Sequence, residues 1–159
     1  MTDTVDIAAG AALLDGDYEA SPDPRIRDQV AGYEASGGTE HNTLEDRPVV
    51  ILTTVGAKSL KVRKNPLMRM FEGDVYVVVA SAGGAPAHPQ WYRNLTAHPV
   101  VRLQDGATTQ LRVAREVHGD EKAHWWEVAE SFWLHFPEYR ERTDGIREIP
   151  VVVLEPIAS

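Results

Sequence analysis

The sequence predicts a mainly-β protein: about six antiparallel strands in a sheet curled on itself, with helices filling the ends. Three observations carry this reading. Pro48 to Thr54, Val75 to Ala80 and Ile149 to Leu154 are continuous apolar, β-branched runs of strand length, the pattern of strands covered on both faces. Glu72-Gly73-Asp74 and Asp105-Gly106 place turn chemistry between strand-like runs, as hairpins require. Helical spacing is confined to a few short segments.

Taken in order, residues 1–22 hold many acids and few large apolar side chains, so they are expected to form a mobile, loosely packed arm without chemistry. The single folded domain is expected over residues 23–159. Asp23 offers an N-cap and Pro24 a pre-set first helical position. Ile26, Val30 and Tyr33 then recur at helical spacing before Gly37-Gly38 stop the segment. A central strand from Pro48, a second from about Val62 to Phe71 and a third over Val75 to Ala80 read as a three-stranded antiparallel meander, which needs a closed or doubled sheet to bury both faces. The glycine-containing loop Ser81 to Ala87 leads into a short helix that opens near Pro89 and ends at His98-Pro99. Val100 to Leu103 and Gln110 to Arg115 form a hairpin. Asp120 is expected to cap a helix with Ala123, Trp126, Ala129, Trp133 and Phe136 on one face, ended by Pro137. A loop with Tyr139 and Arg142 precedes the last strand.

Charge narrows the function. Residues 1–47 hold eleven Asp and Glu against Arg25, Arg27 and Arg47, which accounts for the whole formal charge of -8, while the remainder carries thirteen of each sign. An acidic leader argues against nucleic acid and anionic lipid as partners, since both need the opposite sign. No apolar run is long enough to span a bilayer and the start lacks the features of a secretory signal, so a cytoplasmic protein is expected. Cysteine is absent, which removes thiol catalysis, iron–sulfur clusters and thiolate zinc sites. The six histidines show no metal-binding spacing, so no metal is expected. Redox chemistry, if present, must come from a bound organic cofactor.

Against this acidic background, Lys58, Lys61, Arg63 and Lys64 fall within seven residues, and three of the four lysines of the chain are among them. A compact cationic surface after a buried strand suits an anionic small ligand, although an isolated basic hairpin is also commonly a solvated surface. The glycine loop before a helix N-terminus adds backbone N–H groups that suit an anion or carbonyl. No dinucleotide or P-loop fingerprint is present.

The stretches T-T-V-G-A-K-S-L-K-V-R-K-N-P-L and A-S-A-G-G-A-P-A-H-P-Q-W-Y-R-N-L, with the closing E-I-P-V-V-V-L-E-P, together resemble the deazaflavin-dependent nitroreductase family of F420-dependent reductases. The similarity runs roughly from Arg25 to Pro156. It implies a split β-barrel and an F420H2-dependent reductase that passes hydride to an electron-poor small molecule: a quinone, an activated enone or a nitro compound. The tail of coenzyme F420, a phosphate with glutamates, would account for the cationic cluster, Lys61 included. By the same resemblance Ala57, Lys58 and Ser59 would line the phosphate. Arg63, Lys64, Asn65, Pro66, Leu67 and Met68 would run from tail to ring edge. Val79, Ala80, Ser81 and Ala82 would meet the ring, and Gln90, Trp91, Tyr92, Arg93 and Asn94 would close over the cofactor. Tyr139 would position substrate or relay a proton, and a homodimer is compatible with the fold. Two other readings share the barrel: an FMN-binding protein and a non-catalytic F420 carrier. Leu60 stands where the family commonly has glycine, and Ala82 and Ala87 where lysines are frequent, so a strained turn and a less cationic loop are expected.

Overall fold

A computed structural model describes residues 5–157. Its strands are β1 (Thr43–Leu44), β2 (Arg47–Val55), β3 (Val62–Met68), β4 (Phe71–Glu72), β5 (Val75–Val79), β6 (Val100–Asp105), β7 (Thr108–Glu116) and β8 (Val151–Pro156). The helices are α1 (Ile7–Leu13), α2 (Pro24–Ser36), α3 (Gln90–Ala97), α4 (Gly119–Phe132) and α5 (Phe136–Thr143), with one 3-10 turn at Ala82–Gly84. The sheet runs β1-β2-β6-β7-β8-β5-β4, and β3 pairs with β2. Every ladder between these strands is antiparallel. The six strands longer than two residues are those the sequence predicts.

The meander is corrected by this order, because β5 pairs with β8 and β4, not with β3. The stretch from Val62 to Glu72 divides its hydrogen bonds between two neighbours. Its first part lies on β2, and Arg69 N–H still donates to Pro48 O (2.9 Å); one residue later Met70 O accepts from Val77 N–H of β5 (3.0 Å). This bent stretch draws the two ends of the sheet together, giving a barrel split along one side.

Closure explains the unbroken apolar runs. Successive strand residues face opposite sides, and both sides are buried here. In β2, Val50 and Leu52 enter the barrel interior with Val78, Val101, Val152 and Leu154, whereas Val49 and Ile51 meet Val30 and Tyr33 of α2. In β8, Val152 and Leu154 point inward, and Val151 and Val153 pack on Trp125, Trp126 and Ala129 of α4.

Helix α2 follows its signals: Asp23 accepts from Arg25 N–H as N-cap, Pro24 opens the first turn, and Gly37 takes the left-handed C-cap conformation (φ 63°). Other boundaries differ. The α4 helix begins at Gly119 with His118 as N-cap, so Asp120 lies in the first turn, where it favours the helix dipole. Ala123 is exposed, and Trp125 joins the buried set. Pro137 does not end a helix but occupies the first turn of α5, where its missing N–H costs nothing. Tyr139 and Arg142 therefore stand on a helix rather than a loop.

The acidic leader departs most from expectation. Residues 1–4 of it lie outside the described residues. From Asp6, which caps α1 by accepting from Ala9 N–H (3.0 Å), the chain is helical and then extended. Leu14 is buried with Val55 and Val100, and Asp15 pairs with Arg102 (2.9 Å). Tyr18 bridges Val62 in parallel, with Val62 N–H donating to Asp17 O (2.8 Å) and Glu19 N–H to Val62 O (2.9 Å). A few apolar anchors among small and acidic residues suffice because the start of β3 offers an open strand edge.

Leu60 occupies the turn between β2 and β3 with φ 60° and is half exposed. This is the strain its position predicts, since a Cβ disfavours left-handed backbone by about 1–2 kcal/mol. Leu60→Gly is expected to stabilise the fold by about 0.5–1 kcal/mol, read as a rise of about 1–4 °C in thermal midpoint. A fall in midpoint would show that the Leu60 side chain contributes more than its backbone costs.

Candidate functional site

Three cavities join along the exposed edge of β3. The central one, about 560 Å³, is lined by Arg63, Lys64, Asn65, Pro66 and Leu67 on one side and by Gln90, Trp91 and Asn94 of α3 on another, with Ser21, Asp23 and Arg25 at its margin. It shares Pro66, Leu67 and Trp91 with an apolar cavity of about 300 Å³ that adds Met68, Met70, Val79, Ser81, Ala82, Trp133, Phe136 and Tyr139. At the other end it shares Arg63, Gln90 and Asn94 with a polar cavity of about 580 Å³ that adds Ala57, Lys58, Ser59 and Arg93. Pro66 is tolerated because β3 is an edge strand whose named partner is β2. From Arg63 to Met68 the strand advances roughly 17 Å and passes from cationic to apolar lining.

The polar end is wired through Asn94, which is 1% exposed. Its Oδ1 accepts from Ala57 N–H (3.0 Å) and Gln90 Nε2 (3.1 Å), and its Nδ2 donates to Thr54 Oγ1 (3.1 Å). One side chain thus ties α3, β2 and the turn after β2. The Ala57 N–H is committed to this bond, so Ala57 shapes the cavity wall while Lys58, Ser59 and Arg93 supply exposed donors. Within the turn, Lys61 N–H donates to Ser59 Oγ (3.1 Å) and Gly56 N–H to Lys61 O (2.8 Å). A Cβ on Gly56 would crowd Ser59 Oγ and come within 3.1 Å of Lys61 O, so glycine here lets the turn close tightly.

The apolar end is framed by α5 and the loop after β5. Trp133 Nε1 donates to Tyr139 Oη (3.3 Å), and the rings of Phe136 and Tyr139 meet edge to face at 6.1 Å. Arg142 lies over the Tyr139 ring and donates to Gly83 O (3.0 Å), pinning α5 to the 3-10 turn. In that turn Ala82, Gly83 and Gly84 all have positive φ, and only Ala82 carries a Cβ that resists it.

Arg147 holds the same loop from behind. Its guanidinium donates to Ala80 O (3.0 Å), Ser81 O (2.8 Å), Ala85 O (3.0 Å) and His88 Nδ1 (2.9 Å). Burial, with Arg147 and then Arg93 nearby, holds His88 below the usual imidazole range, which keeps the Nδ1 lone pair available to accept. Nothing in the sequence singles out Arg147, because its four acceptors lie 59 to 67 residues away.

The structure therefore gathers Ala57, Lys58, Ser59, Arg63, Lys64, Asn65, Pro66, Leu67, Met68, Val79, Ser81, Ala82, Gln90, Trp91, Arg93, Asn94 and Tyr139 along one groove. Lys61, Ala80 and Tyr92 do not line it. Lys61 is exposed beside the turn, Ala80 is fully buried in the barrel, and the Tyr92 hydroxyl donates to Glu116 on the far side of α3. Trp133 and Phe136 pack with the core cluster of α4 as the sequence pattern expects, and they also line the apolar end, as do Met70 and Gly83.

A groove apolar at one end and cationic at the other has the chemistry to suit a flat ring carrying an anionic tail. The chain belongs to the F420H(2)-dependent quinone reductase family, whose pattern matches residues 25–156. It is 38% identical over 134 residues to an F420H(2)-dependent quinone reductase of Mycobacterium tuberculosis (strain ATCC 25618 / H37Rv), covering 82% of this chain and 87% of that one. Among solved structures it is similar to an F420-H2 dependent reductase (FDR-A), with 47% identity, a TM-score of 0.64, and coverage of 71% of this chain and 98% of that one. A second, described as a domain-swapped dimer, gives 44% identity and a TM-score of 0.66, covering 85% and 100%. The resemblance read from the two motifs is borne out at the level of the family.

Proposed function

We propose that the protein is an F420H2-dependent reductase that holds the deazaflavin ring in the apolar cavity and its anionic tail along β3, and passes reducing equivalents to a small electron-poor acceptor, foremost a quinone. The observation that carries this reading is the gradient along one strand edge, from Arg63 and Lys64 to Leu67 and Met68, in an otherwise acidic chain. When bound, the cofactor supplies a hydride from its ring carbon. The chain's own work is positional. Lys58, Arg63 and Arg93 attract the tail, Asn94 fixes the turn that carries Lys58, and Arg147 fixes the loop that would border the ring. Val79, Met68 and Trp91 exclude water from the ring cavity, and Tyr139 stands where an acceptor would stack or take a proton.

The test is anaerobic mixing of the protein with reduced F420 and a panel of quinones, enones and nitroarenes, following the return of deazaflavin absorbance. Protein-dependent oxidation by at least one quinone is expected, and tight binding with no turnover across the panel would leave a carrier instead. Tyr139→Phe is expected to lower kcat about tenfold with cofactor affinity unchanged; an equal loss in both would make Tyr139 part of the ring site rather than of the acceptor site. The Trp133 bond is lost in that variant, so near-ultraviolet circular dichroism checks that the ring cavity keeps its packing. Self-association belongs to the same reading, supported by the dimeric solved relative, and light scattering measures it. No helix among the described residues is long and apolar enough to cross a membrane.

A further inference from the structure

Arg63 and Lys64, central to the cationic groove, are both paired within the chain. Arg63 Nη1 meets Glu19 Oε2 at 3.0 Å, and Lys64 Nζ meets Glu34 Oε2 at 2.6 Å while lying 4.9 Å from the Tyr18 ring centroid. The two pairs are unequal. The Lys64 and Glu34 side chains are 21% and 35% exposed, and the aromatic ring supports the cation; those of Arg63 and Glu19 are 29% and 51% exposed. Glu19 alone of the two acids also lines the polar cavity beside Lys58, Ser59 and Arg93. Its backbone is fastened to Val62 by the Tyr18 bridge, so the carboxylate is held at this end of the groove. The strap that carries it precedes the residues matched by the family.

We propose that Glu19 is a specificity-determining residue: a built-in carboxylate that competes with the anionic tail of the cofactor for Arg63, and so sets how tightly a charged tail is held. This rests on the reading of the groove as an F420 site. A half-exposed ion pair is weak and screened by salt, so a tail anion displaces Glu19 from Arg63 by a swing of the side chain while the strap stays in place. The displaced carboxylate still faces the incoming negative charge. Both effects oppose tail binding, and neither touches a ligand without a tail charge.

The experiment is a fluorescence titration of the full chain, as wild type, Glu19→Gln and Lys58→Ala, with two ligands: intact F420, and its ring with the sugar-alcohol chain but neither phosphate nor glutamates. Glu19→Gln is expected to tighten intact F420 by about three- to fivefold, with steeper salt dependence, and to leave the uncharged form within about twofold of wild type. Equal effects on the two ligands, or weaker binding of intact F420, would overturn the proposal. If wild type binds F420 and Lys58→Ala weakens it while Glu19→Gln changes nothing, the Glu19 assignment alone fails. If wild type does not bind F420 and Lys58→Ala is without effect, the cofactor reading fails and takes this inference with it.

Discussion

Replacing Lys58 and Arg63 together by alanine is expected to weaken F420 binding by about a hundredfold while the thermal midpoint moves by no more than about 4 °C. Both cations line the polar cavity, and neither is buried. A hydrogen bond to a charged group contributes about 1.5–3 kcal/mol when well formed, and solvent screening brings each of these toward the lower end. Two such losses give about two orders of magnitude in affinity. The fold is spared because Arg63 gives up only its half-exposed pair with Glu19, and such pairs contribute about 0–1 kcal/mol. Isothermal titration with circular dichroism melts separates the two quantities. Unchanged affinity would remove the tail from this end of the groove.

Asn94→Leu is expected to damage fold and site together. Leucine fills a similar volume, but it leaves Ala57 N–H and Thr54 Oγ1 without the partners they now have. Each buried orphan costs about 1–3 kcal/mol, so a loss of about 3 kcal/mol is expected, read as a fall of about 6–12 °C in midpoint. Affinity for the cofactor should fall at least about tenfold, because the turn carrying Lys58 and Ser59 loses its anchor to α3. Gln90→Leu is the control: Gln90 is exposed and donates only one bond to the same oxygen, so its loss should move the midpoint by less than about 2 °C. Similar effects of the two substitutions would show that Asn94 does not organise the turn.

The strands were legible in the sequence because a run such as Val151 to Leu154 has one physical solution in a small protein, a strand covered on both sides. The partners of those strands were not legible. Turn chemistry at Gly73 announces the β4–β5 hairpin correctly, yet whether β5 lies beside β3 depends on a bend at Arg69 and Met70 that leaves no local mark. Pro137 shows a different ambiguity: proline stops one helix and starts another with the same fixed φ, and only packing of Phe136 between Trp126 and Tyr139 decides for the start. Composition alone predicts a loose leader. Its hold on the barrel comes from Leu14, the Asp15–Arg102 pair and main-chain bonds to Val62, and main-chain bonds have no residue signature.

At the candidate site the cationic turn and the glycine loop stand out because charge and glycine are conspicuous in sequence. The residues that position them are not. Asn94 lies in the recognised motif, but its three bonds appear only when α3 is laid across β2. Arg147 resembles any arginine of a polar loop until Ala80, Ser81 and Ala85 present their carbonyls to it. The strain predicted at Leu60 was legible because a single backbone angle is a local property, and it is observed at φ 60°.

The most direct test of the central claim is a fluorescence titration of the purified protein with oxidised F420, run in parallel with FMN, at low and at moderate salt. Selective binding of F420 that weakens as salt rises is predicted, since the groove pairs an apolar ring cavity with a cationic tail track. Preference for FMN, or binding of neither, would contradict it.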